Sequence, residues 1–100
     1  MAEKRKRIAP EIVAYVDEEH TELTLEVVVP GVQKEEIVLK IHEDSMSLRA
    51  PRGEFEYVTT MAFCCPVKPE AARAKYTNGL LKIKIPFKDH MEDAVIIKVE

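Results

Sequence analysis

Long apolar runs are missing from this sequence. Nowhere does it hold the roughly 20 consecutive apolar residues that a membrane-crossing helix needs. No apolar segment follows the basic start, so a secretory signal is not expected. Glycine is scarce. Gly31, Gly53 and Gly79 each stand alone at a turn signal, and no glycine-rich phosphate loop can be built from them. Cysteine is nearly absent too. Cys64 and Cys65 are adjacent and alone, which excludes a disulfide framework and fits a reducing, cytoplasmic setting. Neither has a nearby histidine or a second cysteine pair to complete a zinc site. In a strand, neighbours point to opposite faces, so one core and one surface cysteine are expected. An excess of positive charge is lacking: 15 basic against 18 acidic residues give a net charge of -3. A general nucleic-acid binder is therefore not expected. Asp17-Glu18-Glu19 and Glu43-Asp44 lack the spaced oxygen ligands of a calcium loop and read as solvated turns. His20, His42 and His90 fall in a turn, a strand end and a tail, with no spacing that links them. Acid-base catalysis needs a titratable group with a partner in a cleft. No enzyme activity, cofactor or metal is expected.

What the chain does have is alternation. Its 100 residues, 46% hydrophobic and 33% charged, suit one domain with a packed core and a hydrated surface. Met1–Arg7 is polar and basic and is expected to be disordered. Ile12–Val16 reads as a short strand. In Glu22–Val29, Leu23, Leu25, Val27 and Val29 share one face, and Pro30-Gly31 ends the run. Gln33–Glu36 suits one helical turn. Ile37, Leu39 and Ile41 then alternate with Val38, Lys40 and His42, and Met46, Leu48 and Ala50 with Ser47 and Arg49. Pro51-Arg52-Gly53 reads as a turn. Phe55, Tyr57, Thr59, Met61, Phe63 and Cys65 alternate along a segment rich in β-formers. Val67–Glu70 is a proline-limited loop. Ala71–Tyr76 carries helix-favouring alanines, yet Asn78-Gly79 suits a tight hairpin turn and asks for a strand before it, so a strand is expected. Leu81, Ile83 and Ile85 alternate with Lys82 and Lys84 up to Pro86. About seven short antiparallel strands with no long helical pattern predict an all-β, immunoglobulin-like β-sandwich.

Four pieces in order resemble the α-crystallin domain of small heat-shock proteins. They are Leu25–Val32 with its Val-Pro-Gly-Val turn, Lys34-Glu35-Glu36-Ile37, Phe63-Cys64-Cys65-Pro66, and Ala74-Lys75-Tyr76-Thr77-Asn78-Gly79-Leu80-Leu81. The resemblance implies a basic arm over residues 1–10, an α-crystallin domain over 11–87 and a tail over 88–100. It implies an ATP-independent holdase that binds unfolding client proteins and self-associates as a dimer or small oligomer, with no nucleic-acid or membrane partner. It also implies a groove lined or supported by Ile37, Leu39, Ile41, Ala72, Ala74 and Leu81. Ile97-Lys98-Val99 resembles the family's C-terminal motif, so Ile97 and Val99 are expected to dock in that groove from a neighbouring copy. The other reading makes the tail a last strand of its own sandwich. Only Pro51–Glu54 separates Ala50 from Phe55, where many relatives carry a loop whose strand swaps between partners. Phe55, Tyr57, Thr59 and Met61 are therefore expected to form the dimer edge. A sandwich without that loop also resembles the CS domain of co-chaperone adaptors, and a non-chaperone interaction module is a third reading.

Overall fold

The computed structural model describes residues 6–89 and 94–100. It contains eight strands: β1 (Lys6–Ile8), β2 (Glu11–Val16), β3 (Glu22–Val28), β4 (Val38–His42), β5 (Ser45–Arg52), β6 (Phe55–Ala62), β7 (Arg73–Thr77) and β8 (Leu80–Pro86). One sheet has the order β1-β6-β5-β4 and the other β2-β3-β8-β7. Alternation decides which face is buried. In the second sheet Leu23 sits opposite Ile85, Leu25 opposite Ile83 and Val27 opposite Leu81. All six are buried. In the first sheet Leu39 pairs with Leu48 and Ile41 with Met46. Leu48 and Met46 lie in the same core cluster as the β3–β8 aliphatics, so the two inner faces pack on each other. Each such fully buried aliphatic contributes about 1.5–3 kcal/mol relative to exposure. Val29, Val32 and Val67, from the crossovers between sheets, are buried with them.

Tight turns fix the register. Asn78 and Gly79 both have positive φ, 50° and 81°, which twists the β7–β8 turn with the strands it joins. Val29 N–H donates to the Gly79 carbonyl at 2.8 Å, and Tyr76 O–H donates to the Val29 carbonyl at 2.9 Å. These two bonds bind the end of β3 to the β7–β8 hairpin.

Four expectations need correction. Lys6 and Arg7 belong to a strand rather than a disordered arm: β1 runs parallel to β6, with Lys6 opposite Phe55 and Ile8 opposite Tyr57. Met1–Arg5 lie outside the described residues. Pro51 is inside β5, not in a turn. β4 pairs β5 only as far as Arg49, so Pro51 sits where β5 has no neighbour on that side and its missing N–H costs no ladder bond. β6 ends at Ala62, short of Cys65, because the chain bends at Cys64 and Cys65. Ala71 closes a short 3-10 turn, Pro69–Ala71, begun by proline, and the strand starts at Arg73.

Candidate functional site: the flank between β4 and β7

Connectivity places the candidate groove. β1 ends at Ile8 and β2 begins at Glu11, so only Ala9 and Pro10 join the outer strand of one sheet to the outer strand of the other. Three residue steps span at most roughly 10 Å, the usual gap between packed sheets. The β1 and β2 edges therefore share one flank. β4 and β7, the opposite edges, share the other.

Ile37, Leu39 and Ile41 present one face of β4 and its lead-in. All three are half-buried against the core cluster. On the other side, Ala72, Ala74 and Tyr76 form the inward set of β7: Ala74 is opposite the buried Ile83 and Tyr76 opposite the buried Leu81. Ala72 and Tyr76 are half-buried, but Ala74 is exposed although it shares their face. Five of the six expected residues, Ile37, Leu39, Ile41, Ala72 and Ala74, belong to the two edges of this flank or the residues leading into them. The sixth, Leu81, is 3% exposed and fills the core beneath Tyr76. Tyr76 was missed by sequence reasoning, although the spacing Ala72, Ala74, Tyr76 carries it onto the same face.

Charge rims the β7 side. On the outer face of β7–β8, Arg73 lies directly opposite Lys84 and Lys75 directly opposite Lys82. Like charges in such pairs repel. A shallow depression of about 470 Å³ runs among these cations, Ala74, Thr77 and Leu80. Lys82 also approaches Glu26 at 4.0 Å.

The tail does not join its own sandwich as a strand. Ala94–Glu100 forms no strand, and Val95, Ile96, Ile97 and Val99 are 78%, 97%, 75% and 91% exposed. The reading of the tail as a last strand of its own sandwich is thus not what the structure holds. Residues 90–93 of the tail lie outside the described residues, and the histidine at position 90 with them. The expected dimer edge is partly occupied. β1 covers β6 at Phe55–Tyr57, whereas Thr59 and Met61 lie beyond it. The sequence Lys6-Arg7-Ile8 is too short to show alternation, so β1 left no signal.

The titratable groups are organised locally. Asp17 accepts hydrogen bonds from the Thr21 hydroxyl, the Thr21 N–H at 2.7 Å and the Glu22 N–H at 2.9 Å. These hold its carboxyl below the usual range. Asp44 is lowered in the same way by His42 Nδ1, 2.9 Å away, and by the Ser45 hydroxyl. Its hydrogen bond to Glu26 raises the Tyr15 phenol. His20 sits in a turn with φ of 57°. Among the described residues, no three His, Cys, Asp or Glu side chains gather as metal ligands, and no helix is long and apolar enough to cross a membrane. The cysteines also depart from expectation. Cys64 is exposed and Cys65 half-buried, so neither is a core residue.

No protein-family model matches the sequence, and comparison with curated proteins gives no match. The fold does match solved structures. It superposes on heat shock protein 16.0 from Schizosaccharomyces pombe with a TM-score of 0.75 at 15% identity, covering 94% of this chain and 77% of that one. A mutant of hsp14.1 from Sulfolobus solfataricus gives 0.71 at 22% identity, covering 83% and 78%. A small heat-shock protein from Xylella fastidiosa gives 0.73 at 15% identity, covering 93% and 97%. The chain therefore has the β-sandwich fold of the α-crystallin domain found in small heat-shock proteins.

Proposed function

We propose that a chain with this sandwich works as a small heat-shock protein: a non-enzymatic, ATP-independent holdase that captures unfolding proteins and keeps them from aggregating. The observation that supports this reading is the pair of sheet edges on one flank: β4, with Ile37, Leu39 and Ile41 half-buried on it or leading into it, and β7, with Ala74 exposed. An unfolding client offers extended apolar segments. An edge strand supplies backbone pairing to such a segment, and aliphatic pockets accept its alternate side chains. The same chemistry suits Ile97 and Val99 of a second copy, which would make self-association and client capture compete for one groove.

Light scattering of a heat-aggregating test protein, without ATP, tests the proposal. The chain is expected to suppress scattering in proportion to its amount. Ala74→Glu, which puts a charge in the groove at an exposed position, is expected to weaken suppression while leaving the fold intact by circular dichroism. No suppression by the folded wild type would refute the holdase reading. The CS-type adaptor or the non-chaperone interaction module would then stand, and specific binding to a large ATP-driven chaperone would separate those two.

A further inference from the structure

Cys64 and Cys65 lie in a short segment held at both ends. Phe63 N–H donates to the Asp44 carbonyl and Val67 N–H to the Glu43 carbonyl, each at 2.8 Å. Both flanks of the cysteine pair are thereby tied to the β4–β5 turn. Lys88 N–H reaches the Pro66 carbonyl at 2.9 Å, and Val67 bridges Phe87. Within this frame the two thiols face each other, with Sγ of Cys64 and Sγ of Cys65 3.4 Å apart. They open on a recess of about 570 Å³ whose wall includes Val16, Thr21, His20 and Phe87.

The spacing has a chemical meaning. Soft ions bind thiolate sulfur at about 2.3 Å, so two such bonds at a bent angle hold the sulfurs roughly 3.5–3.8 Å apart. A single bridging atom therefore fits the pair with almost no movement. Zinc would need further protein ligands, and among the described residues no third one joins the pair. The bridging atom must then be satisfied by two sulfurs plus a group of its own. We infer that Cys64 and Cys65 form a dithiol site for trivalent organoarsenicals, with the organic substituent turned into the recess beside Val16 and Phe87.

The reaction balances without an oxidant. Two S–H bonds break and two As–S bonds form. The two protons leave with the arsenical's oxygen as one water, and arsenic stays trivalent. Cys64 hydrogen-bonds to the Cys65 thiol and pushes the Cys65 pKa up. Holding the second thiol beside the first makes its attack intramolecular, and this closure separates the site from a lone cysteine.

The test uses the full, reduced chain and phenylarsine oxide. One equivalent is expected to remove both titratable thiols, to add one phenylarsenic group by intact mass, and to stay bound in excess monothiol. A small dithiol should release it. Cys64→Ser and Cys65→Ser, both at solvent-accessible positions, should each weaken retention by about 100-fold or more. Retention by either single variant equal to wild type, or two independent adducts on the wild type, would overturn the site.

Discussion

Gly79→Ala and Gly53→Ala make a matched pair. Both glycines lie in two-residue hairpin turns with positive φ, 81° and 56°. A side chain in that region costs about 1–2 kcal/mol at either position. The two differ in what a Cβ would meet. At Gly53 nothing lies within 4 Å. At Gly79 the new atom would stand 3.0 Å from Pro30 Cα and 3.2 Å from Pro30 Cβ. The turn cannot simply back away, because the Gly79 carbonyl accepts the Val29 N–H at 2.8 Å. Overpacking of this kind adds about 1–3 kcal/mol. Gly53→Ala should therefore lose about 1–2 kcal/mol, and Gly79→Ala about 2–5. In a domain of this size 1 kcal/mol moves the melting midpoint by about 4–8 °C, so the two variants should separate by at least about 4 °C. Urea titration at fixed protein concentration gives the same comparison, with the slope unchanged. Equal losses for the two variants would refute the claim that contact with Pro30, rather than backbone angle alone, fixes glycine at position 79.

Leu25 is fully buried opposite Ile83, and Leu25→Ala should cost about 2–5 kcal/mol in the same titration. Lys75→Glu replaces a like-charge pair with an attractive one opposite Lys82 and should gain from a few tenths to about 1 kcal/mol. That gain should shrink with added salt, and a gain independent of salt would exclude an electrostatic origin. Asp17 is held below its ordinary carboxyl pKa by the Thr21 hydroxyl first and the Glu22 N–H next. A depressed folded-state pKa stabilises the fold above the unfolded value and ceases to do so as pH falls through the folded one. Asp17→Asn should therefore be less stable than wild type at neutral pH, with the gap closing below the usual carboxylate range. A gap that persists in acid would show that charge on Asp17 is not the cause.

Most of the sandwich was legible because its central strands bury one face only. Leu23, Leu25 and Val27 against Leu81, Ile83 and Ile85 give a period of two that no helix could satisfy, and Asn78-Gly79 marks its hairpin. What escaped was set by neighbours rather than by local pattern. β1 exists because β6 offers it an edge. Pro51 stays in a strand because β4 stops two residues short of it. Cys64 and Cys65 face each other because Glu43 and Asp44 hold the segment bent, where a straight strand would have parted them. The expected groove residues came from the family resemblance joined to alternation. Whether Leu81 lay at the flank or filled the core depended on which strands lay at the edge, and local sequence carries no record of that order.

The β1 pairing also decides who can occupy β6. Lys6–Ile8 is tethered to its own sandwich through Ala9 and Pro10, so it meets Phe55–Tyr57 at a local concentration no free strand can match. A strand from another chain must displace it by offering more contact. β1 pairs through 3 residues, whereas β6 is 8 residues long. The tether thus works as a threshold: short stray segments are turned away from this edge, and only a partner running the length of β6 has enough backbone pairing to take it.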